Sequence, residues 1–375
     1  MTRLSTLSNV LLVLIGLAAA MSGAEARQFK KPDYYKAGIL NWTVITADFN
    51  HDGNLDLITG DFDRSKLYVF LGKGDGTFRK PLISDIPGPS ALAVGDFNGD
   101  HIPDFAAIEG RGTLAIYLGN GDGTFRNSAN YGLGGGLGGS LAVADFNSDG
   151  HSDIAVTNID NYGQDGSVMV FFGKGNGKFG KPVTYKLPNR PYGIAAGDFN
   201  GNHHADLAVA ETEGNGAIAI LMNNGRGHLK LTATYPTPSN EPASIAVAAL
   251  KNGGNADLVV SCATEIVVFP GNGDGTFGTP TQYFTNENGN LAMASVVADF
   301  NGDGNLDVAT AFFDNNVEQL FYGNGDGTLQ KPVPIKIRKG EGGTQSLVTA
   351  DFNKDGAPDL VFGSSFDLAV LLNAK

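Results

Sequence analysis

Seven short acidic segments hold the residues best suited to chemistry in this chain. They read DFNHDGNLD (48–56), DFNGDHIPD (96–104), DFNSDGHSD (145–153), DFNGNHHAD (198–206), ALKNGGNAD (249–257), DFNGDGNLD (299–307) and DFNKDGAPD (351–359). Oxygen donors at alternate positions of a tight loop suit calcium, which takes about six to eight oxygens at roughly 2.3–2.6 Å. In the first segment Asp48, Asn50, Asp52 and Asp56 are the side-chain donors, Asn54 offers its main-chain carbonyl, and Gly53 permits the turn.

The same pattern assigns Asp145, Asn147, Asp149 and Asp153, then Asp299, Asn301, Asp303 and Asp307, then Asp351, Asn353, Asp355 and Asp359. The second segment keeps Asp96, Asn98, Asp100 and Asp104 but has His101 in place of the glycine, which strains its turn. The fourth keeps Asp198, Asn200 and Asp206, with Asn202 as third ligand and His203 for the glycine, and should bind more weakly. The fifth has Ala249, Lys251 and Gly253 at ligand positions and should hold no ion. The expectation is about four to six calcium ions. No His or Cys recurs at an equivalent place, which argues against zinc or a redox metal. The alternative is that these aspartates only cap turns through Asx hydrogen bonds. Turn formation is the expected role of Asp75, Asp122, Asp274 and Asp326 in a second recurring motif, GNGDGTF and its variants.

The acidic segments begin 48, 49, 53, 51, 50 and 52 residues apart. A fixed period of this size marks units that cannot bury a core alone and must stack on their neighbours. Within one period an Ala/Val/Gly-rich strand precedes the acidic loop, an apolar strand follows it, and an alternating strand leads into the GNGDGTF hairpin and a fourth strand. The spacing therefore predicts an all-β, seven-bladed propeller of four-stranded antiparallel blades. An EF-hand would need flanking helices and Glu at loop position twelve, where Thr59 and Val156 stand.

The predicted blades cover about 42–83, 89–132, 139–186, 192–235, 242–285, 291–337 and 344–373. The last has no fourth strand of its own. Residues 29–36, with Phe29, Pro32, Tyr34 and Tyr35, match the fourth-strand texts FGKPVTY and FGTPTQY and should close it. The whole of 27–375 then reads as one domain.

Residues 1–26 read as a signal peptide: Arg3, an apolar run over 10–20, and Ala24-Glu25-Ala26 as cleavage signal. The run is shorter than the ~20 residues that span a bilayer, so no membrane span is expected after processing. The mature chain is expected to be secreted, periplasmic or on the cell surface, as a monomer. Cys262 is the single cysteine, so no internal disulfide can form. The net charge of −13 is concentrated in the acidic loops, which hold 18 aspartates, and no basic stripe suits nucleic acid.

The D-x-N-x-D-G-x-x-D loops, in phase with GNGDGTF hairpins, resemble the FG-GAP or VCBS class of propeller proteins, and the loops are similar to those of the integrin α-subunit head. The resemblance covers nearly the whole mature chain. It implies calcium binding and a recognition or adhesion role toward a protein or carbohydrate ligand, although the class also includes domains attached to enzymes.

In the predicted strand order the acidic loops and hairpins share one face, and variable recognition residues should occupy the other. Candidates there are Asp61, Phe62, Asp63 and Arg64; Glu109 and Arg111; Asp160, Asn161, Tyr162 and Gln164; Glu211 and Glu213; Phe312, Phe313, Asp314 and Asn315; and Phe366 and Asp367. Trp42, Arg190 and Tyr192 lie at nearby blade junctions. With no catalytic constellation evident, a non-catalytic binding module is the first reading. A calcium-dependent polysaccharide lyase or sugar dehydratase, using Asp63 with Arg64 or Tyr162 with Asp165, is the second, and a structural envelope module the third.

Overall fold

The computed structural model describes residues 29–374 apart from 39–40, 111, 135–136, 160–165, 286–290, 314–316 and 338–342. Among them every regular element is a strand, and 28 strands form seven four-stranded antiparallel sheets. Blade one runs Asn41–Ala47, Asp56–Asp61, Lys66–Phe70 and Leu82–Asp85 in spatial as well as sequence order. The inner strands of the next five blades are Pro89–Gly95, Leu137–Ala144, Pro191–Gly197, Pro242–Ala248 and Ala292–Ala298.

Blade seven takes three strands from the end of the chain, Thr344–Ala350, Asp359–Ser364 and Asp367–Leu371, and its outer strand, Asp33–Lys36, from the beginning. Tyr34 pairs Ala369 and Tyr35 pairs Leu368, antiparallel. Phe29 adds an isolated bridge to Asn373, so the closing segment spans the length expected from its sequence. Pairing the two chain ends covers an edge that would otherwise present unpaired main-chain groups.

The second strand of a blade is buried along its length, as in Asp104–Glu109, because each sheet packs on neighbours at both faces. Its side chains alternate between two cores. Phe105 and Ala107 pack toward blade one, whereas Ala106 and Ile108 pack toward blade three. Seven apolar clusters result, one at each seam between blades, and none belongs to a single blade. That arrangement is why one repeat cannot fold alone.

The two recurring motifs meet at these seams. Phe97 of the second acidic loop packs edge-on against Phe179 of the third blade's hairpin, ring centroids 5.5 Å apart. The same pairing joins Phe49 to Phe125, Phe199 to Phe277 and Phe352 to Phe78. Beside each pair a hairpin glycine donates its N–H to the loop phenylalanine's carbonyl: Gly177 to Phe97 at 2.8 Å, Gly123 to Phe49 at 3.2 Å, and Gly76 to Phe352 at 3.1 Å across the closure. Glycine is required there. Gly76 has φ +82°, and a Cβ on it would lie 2.5 Å from Leu372.

Candidate metal loops and ligand face

Each acidic loop folds around its own main chain. In the first, Asp48 accepts the N–H groups of Asp52 and Gly53, Asn50 Oδ1 also accepts Asp52 N–H, and Asp52 Oδ1 accepts Asn54 N–H at 2.9 Å. The Asn50 amide donates to Asp52 Oδ2 at 3.0 Å. The third, sixth and seventh loops repeat the pattern through Asn147 and Asp149, Asn301 and Asp303, and Asn353 and Asp355. These are the Asx-type bonds of the alternative reading, and they orient several oxygens within nine residues.

Two loop positions take left-handed backbone, not only the one marked by glycine. His51, Ser148 and Lys354 have φ of 57°, 60° and 59° at the fourth position. At the sixth, His101 and His203 each have φ 65°, and their N–H groups still reach Asp96 and Asp198. The loop conformation therefore survives both substitutions, with the backbone strain expected of a non-glycine residue there.

The ninth aspartate behaves differently from the others. Asp56 is fully buried; its Oδ2 accepts Phe49 N–H at 2.9 Å and its Oδ1 accepts Gly72 N–H at 2.8 Å. Asp104, Asp153, Asp206, Asp307 and Asp359 make the same two bonds. Each thus clasps its acidic loop to the start of its own hairpin. Burial pushes these carboxyls up, Asp56 and Asp104 to about 6 and Asp153 and Asp359 to about 7, against the pull of the two N–H groups. The loop's other aspartates push the same way. Sequence spacing alone presents these residues as metal donors and gives no sign of the clasp.

Among the described residues no three acidic, His or Cys side chains stand close enough together to form a ready-made cation cage. The donor chemistry nonetheless suits a hard cation. An intact loop offers carboxylate, amide and carbonyl oxygens with no common nitrogen or sulfur ligand. In the fifth segment Lys251 bridges the main chain of Asp326 in the next hairpin, and its charge contributes to holding that carboxyl down. The hairpin aspartates form turns as expected: Asp75, Asp122, Asp274 and Asp326 each accept the N–H and hydroxyl of the threonine two residues on.

The opposite face is made of the loops between second and third strands and the connections between blades. Phe62, Asp63, Arg64, Phe313 and Phe366 reach its surface. Asp61 and Phe312 do not. Asp61 is fully buried, accepts Arg64 N–H at 3.1 Å, and packs against Gly38, where a Cβ would lie 2.3 Å from its Oδ2. Phe312 ends a second strand and points into the core between blades five and six. Glu109 and Glu211 are likewise buried, bonded to Tyr117 and Asn189. Tyr162 and Asp314 lie outside the described residues, as do Arg111, the rest of 160–165, and the expected signal peptide.

Trp42 stacks on Phe62 at 4.6 Å and 13° and remains 37% exposed. Phe366 of blade seven and Phe313 of blade six are similarly exposed on the same face, and Tyr192 sits across the ring at the start of blade four.

A model of the FG-GAP-like repeat matches residues 48–107, 96–156, 145–209, 250–310 and 299–362. The chain belongs to the FG-GAP-like repeat family. Each matched FG-GAP unit starts at an acidic loop, or one residue within it, and crosses the seam into the next blade. No curated protein matches the sequence.

Among solved structures, an Agrocybe aegerita lectin described as recognising non-reducing terminal N-acetylglucosamine is similar, with TM-score 0.56 and 19% identity over 78% of this FG-GAP chain and 79% of the lectin. Saccharomyces cerevisiae Sqt1 gives TM-score 0.59 and 9% identity, covering 93% of this chain and 100% of Sqt1. Chaetomium thermophilum Raptor gives 0.61 and 11%, covering 94% of this chain, which spans only 29% of Raptor. At these identities the likeness is one of fold.

Proposed function

We propose that this FG-GAP protein is an exported, calcium-bearing propeller that recognises a glycan or protein ligand without transforming it. The observation that carries the reading is the Trp42–Phe62 stack, with the Trp42 ring open to solvent; Phe366 and Phe313 are also exposed among the loops of that face. Large rings held open to solvent forgo burial, and neighbouring ones form the kind of surface that binds flat apolar faces of sugars or side chains. The fold likeness to a lectin supports the reading. Blade-to-blade variation in these loops, against the repetition of the acidic face, supports it further.

Asp48, Asn50, Asp52 and Asp56, with the carbonyl of Asn54, and their counterparts in the other intact loops would hold calcium. The ion would supply positive charge that relieves repulsion among loop carboxylates and ties each loop to one conformation. The residues themselves already join loop to hairpin within a blade through the ninth aspartate.

The test is a glycan-array and titration screen of the mature protein and a Trp42→Ala variant. The expected result is a ligand bound without turnover and lost in the variant at unchanged melting temperature. Release of new reducing or unsaturated ends from a polysaccharide would replace this reading with an enzymatic one. Binding unaffected by Trp42→Ala would move the site off this face.

A further inference from the structure

We infer that the mouth of the axial channel, between Trp42 and Tyr192, receives the uncharged terminal sugar of an oligosaccharide. The inference rests on the reading of this face as a recognition surface and narrows it to one place and one class of ligand.

The seven inner strands make a closed ring around the channel, each touching the inner strand of the blade before and of the blade after it. Every one is an edge strand, paired with the second strand of its own blade and unpaired on the side toward the axis. Free main-chain N–H and C=O groups therefore line the channel.

At the end of each inner strand away from the acidic loop the pairing register slips, as between Asn41 and Val44 in blade one and between Pro191 and Ile194 in blade four. The same slip occurs in the other five blades. A bulge at a rim re-aims a side chain. The residues so released are Trp42 and Tyr192, three blades apart across the axis, and Ser90, Gly139, Ala243, Met293 and Gln345 between them. All seven are at least partly open to solvent.

Tyr192 carries a second mark. Tyr35, Tyr131, Tyr185, Tyr235 and Tyr283 each accept a hairpin N–H on their hydroxyl. No described residue hydrogen-bonds the Tyr192 hydroxyl, and burial pushes it up although 42% of the residue is exposed. A hydroxyl surrounded by protein on a residue open to solvent belongs to a concave wall, with its donor and acceptor left for a ligand.

None of the seven ring residues is charged. The charges just before the ring, Arg190 and Glu241, stand on adjacent blades with opposite signs, and Arg190 acts on the Tyr192 hydroxyl. The carboxyls paired beside the rim, Asp61, Glu109 and Glu211, are buried and bonded to Arg64 N–H, Tyr117 and Asn189, and their charge disfavours an anion. A peptide end would bring an ammonium or carboxylate for which the ring has no partner. A sugar end is neutral, with flat C–H faces for the two aromatic rings and hydroxyls for the Tyr192 hydroxyl and the free strand edges. A ring closed on all sides admits a chain by its end.

Titration calorimetry of the mature protein with a panel of neutral tetrasaccharides of glucose, galactose, mannose, xylose or N-acetylglucosamine, and with their glucuronate-ended counterparts, tests the site. A neutral member should bind about tenfold or more tightly than its acid-ended counterpart, and its disaccharide should keep most of that affinity. Tyr192→Ala should weaken binding about tenfold or more, and Ala243→Phe should do the same by filling the mouth. Tyr192→Phe should lose about threefold or more, and Phe284→Ala, on an outer strand, should change nothing. Should Tyr192→Ala unfold the protein, Tyr192→Phe and Ala243→Phe carry the comparison. The absence of any neutral binder, tighter binding of acid-ended sugars, or affinity that climbs with each added sugar would overturn the inference. Loss of binding in Trp42→Ala with full affinity in folded Tyr192→Ala and Ala243→Phe would overturn it and leave the recognition face standing. Full affinity in Trp42→Ala would overturn both.

Discussion

Asp257 accepts the main-chain N–H of Leu250 at 3.0 Å, in the one blade whose acidic loop has lost its other aspartates. Its second oxygen accepts Gly271 N–H at 2.8 Å. The clasp made by the ninth residue is therefore complete where the loop's other aspartates are missing. Its role in joining loop to hairpin does not depend on them.

Replacing Asp257 by alanine strands two inward-facing N–H groups. The expected loss is about 2–5 kcal/mol of unfolding free energy, the same in calcium and in chelator. Asp307→Ala in blade six should show a loss that shrinks when calcium is withdrawn. Urea unfolding of both variants in the two buffers makes the comparison.

Calcium itself should stabilise the mature protein. Metal analysis is expected to find about four to six ions, and excess chelator should lower the melting temperature, since a ligand at a hundredfold its Kd adds about 2.7 kcal/mol per site. Asp299→Ala should lower the ion count by about one. A metal-free protein with an unchanged melting curve would leave the aspartates as turn formers alone.

The loop and hairpin phenylalanines should be energetically coupled. A double-mutant cycle on Phe97→Leu and Phe179→Leu is expected to give an interaction of about 0.5–1.5 kcal/mol by denaturant unfolding. Additive losses would show that the 5.5 Å ring contact contributes only through general burial.

Glu318 sets a pH dependence away from the acidic loops. Its buried carboxyl accepts Phe312 N–H and the Thr344 hydroxyl, each at 2.7 Å, yet burial outweighs both bonds and pushes it up from 4.5 to about 8. The folded state therefore keeps a proton that the unfolded chain releases. The associated stability is full below pH 4.5 and is lost as pH rises through about 8. Glu318→Gln should remove one group's share of the slope in denaturant titrations, most visibly between about pH 7 and 8, above the buried loop aspartates, which titrate at about 6 to 7.

Removing the closing strand should open the ring. A variant beginning at Gly38 lacks the pairing of Asp33–Lys36 with blade seven, the Lys30 N–H bond to Leu372 O, and the packing of Phe29 on Phe300. It is expected to melt ~5 °C or more below the mature protein and to self-associate on gel filtration through the exposed edge.

Much of this molecule is written locally. The repeat period, the alternating strands and the Gly/Asn/Asp turns each act within one stretch of chain, so they determined seven four-stranded blades. The fourth-strand text at residues 29–36 also disclosed the closure, because it repeats at the wrong end of the sequence. The hairpin aspartates were legible for the same reason, since their partners lie two residues away. What depends on how blades meet was not legible. The ring angle brings Phe97 to Phe179, turns Phe312 and Asp61 inward although they border a surface loop, and sets Trp42 across the axis from Tyr192. The ninth aspartate shows both levels at once. Sequence placed an oxygen ligand at Asp56, and only the return of the hairpin to Gly72 gave that carboxylate the main-chain partner it holds in the fold.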